Sequence, residues 1–351
     1  MSVLDARKRI VVKVGSSLLV GEDGTLREAW LDALARDLLA LDAEVMVVSS
    51  GAVALGRRRL GLSGRLSLAE KQACASAGQS RLTQGYERAF AAHGRVAAQA
   101  LLTLDDTEVR RRWLNARQTL ETLLSLRAIP IINENDTVAT DEIRYGDNDR
   151  LAARAAQMVG ADLLVLLSDI DGLYTTNPRT DTAATHIPLV ENLTDAHLDM
   201  AGEAGSDVGT GGMATKLLAA RIAVEAGCDM VICDGRDPGA LSALRDGARH
   251  TLFRAKPKRK ARANWIAGTL KPSGTLHIDA GAAHALTLGK SLLAVGITHT
   301  DGDFAEGDVV SLHGPDGELA RGLAGCGAQA LAALDDPRGT VVVHRDDLVM
   351  L

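Results

Sequence analysis

A lysine closes a short apolar run at Lys13, and Gly15-Ser16-Ser17 follow at once. A lysine at the end of a buried strand is costly to desolvate without a partner. The glycine and serines behind it can offer backbone N–H groups to an anion. The group reads as a phosphate cradle, against the simpler alternative of a strand-edge lysine reaching solvent along its flexible stem. A second loop, Gly209-Thr210-Gly211-Gly212-Met213-Ala214-Thr215-Lys216, opens a helix. Its backbone donors and the field of a helix N-terminus favour an anion; a flexible surface turn is the alternative. Two common nucleotide motifs fail here. Gly209, Gly211 and Ala214 have dinucleotide-loop spacing, but they follow the polar stretch Glu203–Val208 rather than a strand. Gly289-Lys290-Ser291 has the tail of a Walker A motif, with His284 where its first glycine is required.

Two further segments are dense in amides and carboxylates: Asn133-Glu134-Asn135-Asp136 and Gly146-Asp147-Asn148-Asp149, with Asp141 and Glu142 between them. Such groups suit the ammonium and carboxylate of an amino acid. An Asx-rich turn or a helix cap, with Asp147 capping the helix that follows, is the structural alternative. The spacing matches no standard metal-ligand motif.

The elements that must position these residues are legible as apolar runs. Residues 9–14, 45–48, 128–132, 163–167 and 230–232 are short and rich in Val, Ile and Leu, which predicts buried strands. Between them, residues 28–41, 67–92, 113–126, 150–158 and 214–226 read as helices. Continuous apolar strands alternating with helices predict an α/β fold, a mostly parallel sheet sandwiched by helices. Ligands in such sheets sit at the C-terminal strand ends. That rule selects Gly15-Ser16-Ser17, Ser49-Ser50-Gly51, Asn133–Asp136 and Ser168-Asp169. Beyond Trp265, turn signals at Asp301-Gly302 and Pro315-Asp316-Gly317 and a closing Val341-Val342-Val343 predict a small β-rich domain.

At 351 residues the chain is long enough for two domains. Aromatics make up only 3%, so the core must be built from Leu, Val, Ile and Ala. The expected boundaries are 1–253 for the first domain, 254–272 for a linker and 273–351 for the second. The linker opens with six basic residues and no acid between Arg254 and Arg262. Net charge is −6, and residues 274–351 alone carry −7, with four Lys/Arg against eleven Asp/Glu. That distribution disfavours phosphate-backbone binding by the C-terminal part. The N-terminus lacks a signal-peptide pattern. No apolar stretch reaches the ~18–20 residues of a membrane span. Cys74, Cys228, Cys233 and Cys326 form no CxxC pair and read as reduced thiols of a cytoplasmic protein.

Taken in order, Lys13-Val-Gly-Ser-Ser, Ser49-Ser-Gly-Ala, Asn133-Glu-Asn-Asp, Gly146-Asp-Asn-Asp, Ser168-Asp169 and Gly209-Thr-Gly-Gly-Met-Ala-Thr-Lys resemble the glutamate 5-kinases of the amino acid kinase family. Gly78-Gln79-Ser80, Leu114-Asn115-Ala116-Arg117, Gly172-Leu173-Tyr174 and His344-Arg345-Asp346-Asp347 are similar landmarks. The resemblance spans essentially the whole chain. Its C-terminal part resembles a PUA domain, a small β-barrel.

The resemblance implies an ATP-dependent, Mg2+-assisted phosphorylation of the γ-carboxylate of L-glutamate, the first step of proline biosynthesis. It implies that Lys13 and Lys216 contact the phosphates and the phosphoryl group in flight, with Asp149 positioning both lysines by charge. Ser168, Asp169 and the run Thr210, Gly211, Gly212, Met213, Ala214, Thr215 and Lys216 would hold ATP. Ser50, Asp136 and Asn148 would bind glutamate. No metal ligand is assigned. Ser49 and Ser168 stand where threonine is usual, and Ala214 where a hydroxyl is common. The family also implies a homo-oligomer, dimer or tetramer, a glutamyl phosphate reductase as functional partner and proline as feedback inhibitor. Two other readings compete. One is a kinase of the same fold acting on acetylglutamate, aspartate, carbamate or a nucleotide. The other is an RNA-binding regulatory protein working through its PUA-like domain.

Overall fold

The computed structural model describes residues 2–138, 148–202, 212–255, 266, 272–334, 337 and 339–351. The chain divides into two compact units, one of residues 1–107 and 115–258, the other of residues 108–114 and 259–351.

The first unit is built on an eight-stranded sheet. Its strands are β1 (Arg9–Val14), β2 (Glu44–Ser49), β3 (Ala97–Leu102), β4 (Ile129–Glu134), β5 (Leu163–Ser168), β8 (Leu189–Val190), β9 (Asp229–Asp234) and β10 (His250–Phe253). They lie in the order β3-β4-β2-β1-β5-β9-β10-β8. All neighbours run parallel except β9 and β10. A short hairpin, β6 (Leu173–Tyr174) with β7 (His186–Ile187), follows β5.

The helices are α1 (Ser16–Leu19), α2 (Glu28–Leu39), α3 (Ala52–Arg59), α4 (Leu68–Ala91), α5 (Leu104–Glu108), α6 (Arg110–Ser125), α7 (Asn148–Val159), α8 (Asp195–Gly202), α9 (Met213–Glu225) and α10 (Ala240–Arg245). The central strands are apolar on both faces: every residue from Ile10 to Val14 and from Leu163 to Ser168 is buried. That is the signature of a sheet covered on both sides. α7 is buried on nearly every side, and its Ala152, Ala153, Ala155 and Ala156 let it lie close to β1, β5 and α9. α4 begins at a capping box in which Ser67 and Glu70 satisfy each other's backbone N–H.

Several elements lie outside the runs read from the sequence, among them α3, β3 and β10. Residues 52–59 form α3, which contains Gly56 and ends in Arg57-Arg58-Arg59, so its sequence carries no apolar stripe. Tertiary packing supplies what the pattern lacks. A Cβ at Gly56 would lie 1.7 Å from the Cys74 carbonyl, and one at Gly78 would lie 1.8 Å from the Ala52 carbonyl. Only glycine at both positions lets α3 and α4 cross so closely. β3 is alanine-rich, a helix-favouring composition overridden by parallel pairing with β4. β10 runs antiparallel at the end of the chain's first unit.

The second unit carries a five-stranded sheet in the order β13-β11-β14-β15-β17, from β11 (Gly274–Ile278), β13 (Ile297–Asp301), β14 (Val309–Gly314), β15 (Gly317–Leu323) and β17 (Leu348–Met350). Among the described residues it also carries a ladder of β12 (Leu292–Leu293) with β16 (Val341–Val343) and helices α11 (Ala280–Thr287) and α12 (Ala328–Ala332). Its core includes Leu276, Phe304, Val310, Leu312 and Val342. Cys74, Cys228 and Cys233 are buried free thiols, and Cys326 is half-buried. The expected linker residues Lys256, Lys258, Arg259, Lys260 and Arg262 lie outside the described residues.

Candidate active site

The first turn of α7 places two adjacent residues in two different polar environments. Asp149 faces a pair of lysines, and Asn148 faces the loop that ends β2.

Lys13 Nζ lies 2.6 Å from Asp149 Oδ1, and Lys216 Nζ lies 3.1 Å from Asp149 Oδ2. Lys13 comes from β1, between β2 and β5 at the centre of the sheet. Lys216 comes from the first turn of α9. All three residues are buried, Asp149 to within 1% of full burial. The Lys13 contact is a close, buried ion pair. The Lys216 ammonium also donates a hydrogen bond to Asp149 Oδ2. Thr215 Oγ1 lies 2.8 Å from the Gly212 carbonyl and 3.2 Å from Asp149 Oδ2, so its single proton is shared between the two acceptors. Burial alone would raise the Asp149 carboxyl, but the two ammonium groups outweigh it and bring its pKa down to about 2. The cluster is therefore one carboxylate between two cations, with net positive charge directed at whatever binds beside it.

Asn148 Nδ2 lies within hydrogen-bond distance of three acceptors, Ser50 Oγ at 2.7 Å and the Ser49 carbonyl and Asn133 Oδ1 at 3.2 Å each, which share its two protons. Asn133 Oδ1 also accepts from the Glu134 N–H at 2.9 Å. Asn133 Nδ2 donates to Gln79 Oε1 at 2.7 Å. Tyr86 OH donates to Ser49 Oγ at 2.9 Å, which donates to the Ser50 carbonyl at 3.1 Å. Asn148 Oδ1 is buried and, among the described residues, has no hydrogen-bond partner. An unsatisfied buried acceptor at the start of a helix, beside the end of β2, is a place for an external donor. Gly51, in the left-handed region at φ 109°, turns the chain from Ser50 into α3.

Asp136 follows β4 in a turn and is half-buried. Among the described residues it has no hydrogen-bond or ion-pair partner, and burial pushes its pKa up to about 6. Ser168 and Asp169 stand at the end of β5, with Ser168 Oγ 3.3 Å from Asp169 Oδ1. Burial raises the Asp169 carboxyl, but the bond from Arg179 at 2.6 Å outweighs it and holds the group below the usual carboxylate range. Neither Ser168 nor Asp169 bonds directly to the lysine cluster among the described residues. Gly212 caps α9, and Gly212 and Ala214 are exposed there, with Met213 half-buried between them. Thr210 and Gly211 lie outside the described residues, as do Asp141, Glu142, Gly146 and Asp147.

The structure thus unites Lys13, Asp149 and Lys216 in one cluster, and Ser50 with Asn148 in another. Sequence reasoning had no assigned role for Asn133, Ser49, Tyr86 or Gln79. Asn133 had a signal, since it opens an amide-rich strand end. Tyr86 had none, because an aromatic on an amphipathic helix reads as core.

A model of the amino acid kinase family matches residues 8–234, and one of the PUA domain matches residues 274–345. The chain is similar to the glutamate 5-kinase of Paramagnetospirillum magneticum at 54% identity, covering all of both chains. It is similar to that of Caulobacter vibrioides at 54% identity, over 99% of this chain and 97% of the relative. The Agrobacterium fabrum glutamate 5-kinase is 50% identical over 99% of this chain and 94% of its own length.

Proposed function

The chain belongs to the amino acid kinase family, among its glutamate 5-kinases, and from that premise we infer that it transfers the γ-phosphoryl group of ATP to the γ-carboxylate of L-glutamate, giving L-glutamyl 5-phosphate for proline biosynthesis. The observation that carries the reading is the juxtaposition on α7: Asp149 gathers Lys13 and Lys216, while its neighbour Asn148 presents, beside Ser50, an acceptor unpaired among the described residues.

The chemistry asks for little beyond charge and position. A glutamate side chain has a solution pKa of about 4.3 and is already ionised at neutral pH. No general base is needed. The obstacle is an anionic nucleophile approaching an anionic phosphoryl group. Two buried lysines offset that repulsion in a low-dielectric site, where fixed charge is worth most. Asp149 holds both ammonium groups in place before ATP arrives, so little reorganisation is required during transfer. ATP carries Mg2+ on its phosphate oxygens, and among the described residues no group of three or more His, Cys, Asp or Glu forms a metal cage. Asp136 and Asn148 Oδ1 suit the ammonium of glutamate, one by charge and one as a neutral acceptor. Ser50 Oγ completes the acceptor pocket. Ser168, Asp169 and residues 210–216 hold the nucleotide.

The same reading divides the chain into a catalytic domain at 1–253, a linker at 254–272 and a PUA domain at 273–351. It makes the protein a cytoplasmic homo-oligomer that passes its acyl phosphate to a reductase and is inhibited by proline. None of the described helices is long and apolar enough to cross a membrane. The deciding experiment is glutamate-dependent ADP release with hydroxylamine trapping of the acyl phosphate. It is run beside acetylglutamate, aspartate, carbamate and a nucleoside monophosphate. Faster turnover of any of these than of glutamate overturns the substrate assignment.

A further inference from the structure

We propose that Gln79 is a positioning residue for the acceptor pocket: acting through Asn133, it holds the Asn148 amide with its free oxygen turned toward the substrate. The proposal rests on the glutamate-kinase reading of this site and adds to it a residue outside the pocket itself.

Each amide in the chain has its orientation fixed by a neighbour with only one hydrogen-bonding option. The Glu134 N–H can only donate, so the Asn133 atom facing it at 2.9 Å is the oxygen. The other end of Asn133 is then the NH2 group, and it meets Gln79 Oε1 at 2.7 Å. The Ser49 carbonyl can only accept, so the Asn148 atom facing it is the nitrogen. That nitrogen also leans on Asn133 Oδ1 at 3.2 Å. The consequence is that Asn148 Oδ1 is the end of the amide left without a donor among the described residues.

Asn133 is 1% exposed, so its NH2 group has no access to water. Gln79 Oε1 is its acceptor. Without that acceptor, Asn133 either keeps a buried orphan donor or turns its amide over. Turning it over sets NH2 against the Glu134 N–H and the Asn148 NH2, donor against donor. Either outcome loosens Asn148.

Gln79 is itself held in place. Gly78, immediately before it, is locked against Ala52 of α3. The Gln79 Nε2 group reaches Thr83 Oγ1 at 3.4 Å, and Thr83 Oγ1 donates back to the Gln79 carbonyl at 3.0 Å. Gln79 also lines an open groove of about 1340 Å³ with Ser76, Ser80 and Thr83, so its outer atoms are within reach of water. A carboxylate can be accommodated there and still accept from Asn133.

The test is steady-state kinetics on the full chain with Gln79→Leu and Gln79→Glu. Losing one buried acceptor in the network predicts a rise of roughly 10-fold in the KM for glutamate with Gln79→Leu. The KM for ATP should stay within about 2-fold, and Gln79→Glu should recover the glutamate KM to within about 3-fold. An unchanged glutamate KM in Gln79→Leu overturns the proposal. So does an equal loss for both substrates in both variants, which is what a merely structural role produces. If the wild-type chain turns over no glutamate, the functional reading fails first. The positioning claim is then decided by side-chain amide spectra of 15N-Asn protein. Shifted Asn133 and Asn148 NH2 resonances in Gln79→Leu support it, and unmoved resonances overturn it.

Discussion

Lys13 and Lys216 arrive from a central strand and from a helix N-terminus more than 200 residues apart in sequence, yet one carboxylate, Asp149, takes Lys13 on Oδ1 at 2.6 Å and Lys216 on Oδ2 at 3.1 Å. Replacing Asp149 by Asn keeps the shape and removes the counter-charge. Two buried ammonium groups are then left facing each other, and breaking a buried pair in this way costs about 3–5 kcal/mol. Denaturant titration of Asp149→Asn should show that loss, with kcat reduced by roughly 100-fold or more. The wild-type cluster also has a pH signature. The folded pKa is depressed to about 2 from an unfolded value of about 3.9. Its contribution to stability is thus complete above about pH 4 and is lost as pH falls through about 2. The Asn variant should lack that acid limb; an identical acid limb would remove Asp149 from the linkage.

Lys216→Ala tests charge at the phosphoryl group rather than at the carboxylate. Deleting one preorganised donor to a transition state costs on the order of 100-fold or more in kcat. Asp149 keeps Lys13 as partner in this variant, so folding should suffer less than in Asp149→Asn. Rapid-quench measurement of the first turnover checks the chemical step directly. A wild-type rate there would take Lys216 out of the mechanism.

The sheet and the two lysine loops were legible in the sequence because each rests on a local pattern. An apolar run of three to six residues ends in small or polar residues, and the rule for strand ends does the rest. What stayed hidden depends on contacts between distant segments. α3 has no apolar stripe, and only the mutual approach of Gly56 and Gly78 explains it. β3 is alanine-rich and carries no strand signal of its own; its pairing with β4 sets it. Likewise Gln79 and Tyr86 are seven residues apart, two helical turns on one face of α4, and their roles emerge only when that face meets Asn133 and Ser49. Asp149 could be assigned its role only by resemblance, because no spacing rule links it to Lys13 and Lys216.

The glycine crossing makes its own prediction. A Cβ at Gly78 would sit 1.8 Å from the Ala52 carbonyl and 2.6 Å from the Gly56 nitrogen, both backbone atoms that cannot swing aside. Gly78→Ala must therefore push α3 away from α4. Overpacking typically costs ~1–3 kcal/mol, and contact with backbone belongs at or beyond the upper end. Because α3 begins right after Ser50-Gly51, the same shift should disturb Ser50 and raise the glutamate KM. Thermal melting together with KM measurement checks both. An unchanged melting point would mean that the helices separate freely.

Asp136 predicts a pH effect of the opposite sign to Asp149. Its folded pKa is raised to about 6 by burial, with no cation near it among the described residues. As pH rises from about 4 to 6, the unfolded chain loses this proton more readily than the folded one, so the unliganded protein loses stability over that window. Glutamate supplies the missing cation. Its ammonium pairs with the ionised carboxylate, so glutamate should bind more tightly as pH rises through about 6. The apparent KM for glutamate, measured from pH 5 to 8, should fall across that point in the wild type. Asp136→Asn should give a higher KM with little slope, and its unliganded melting temperature should lose the decline between pH 4 and 6. The glutamate side chain is already ionised above about pH 5, so it does not produce this step itself. A slope retained in Asp136→Asn would assign the titration to another group.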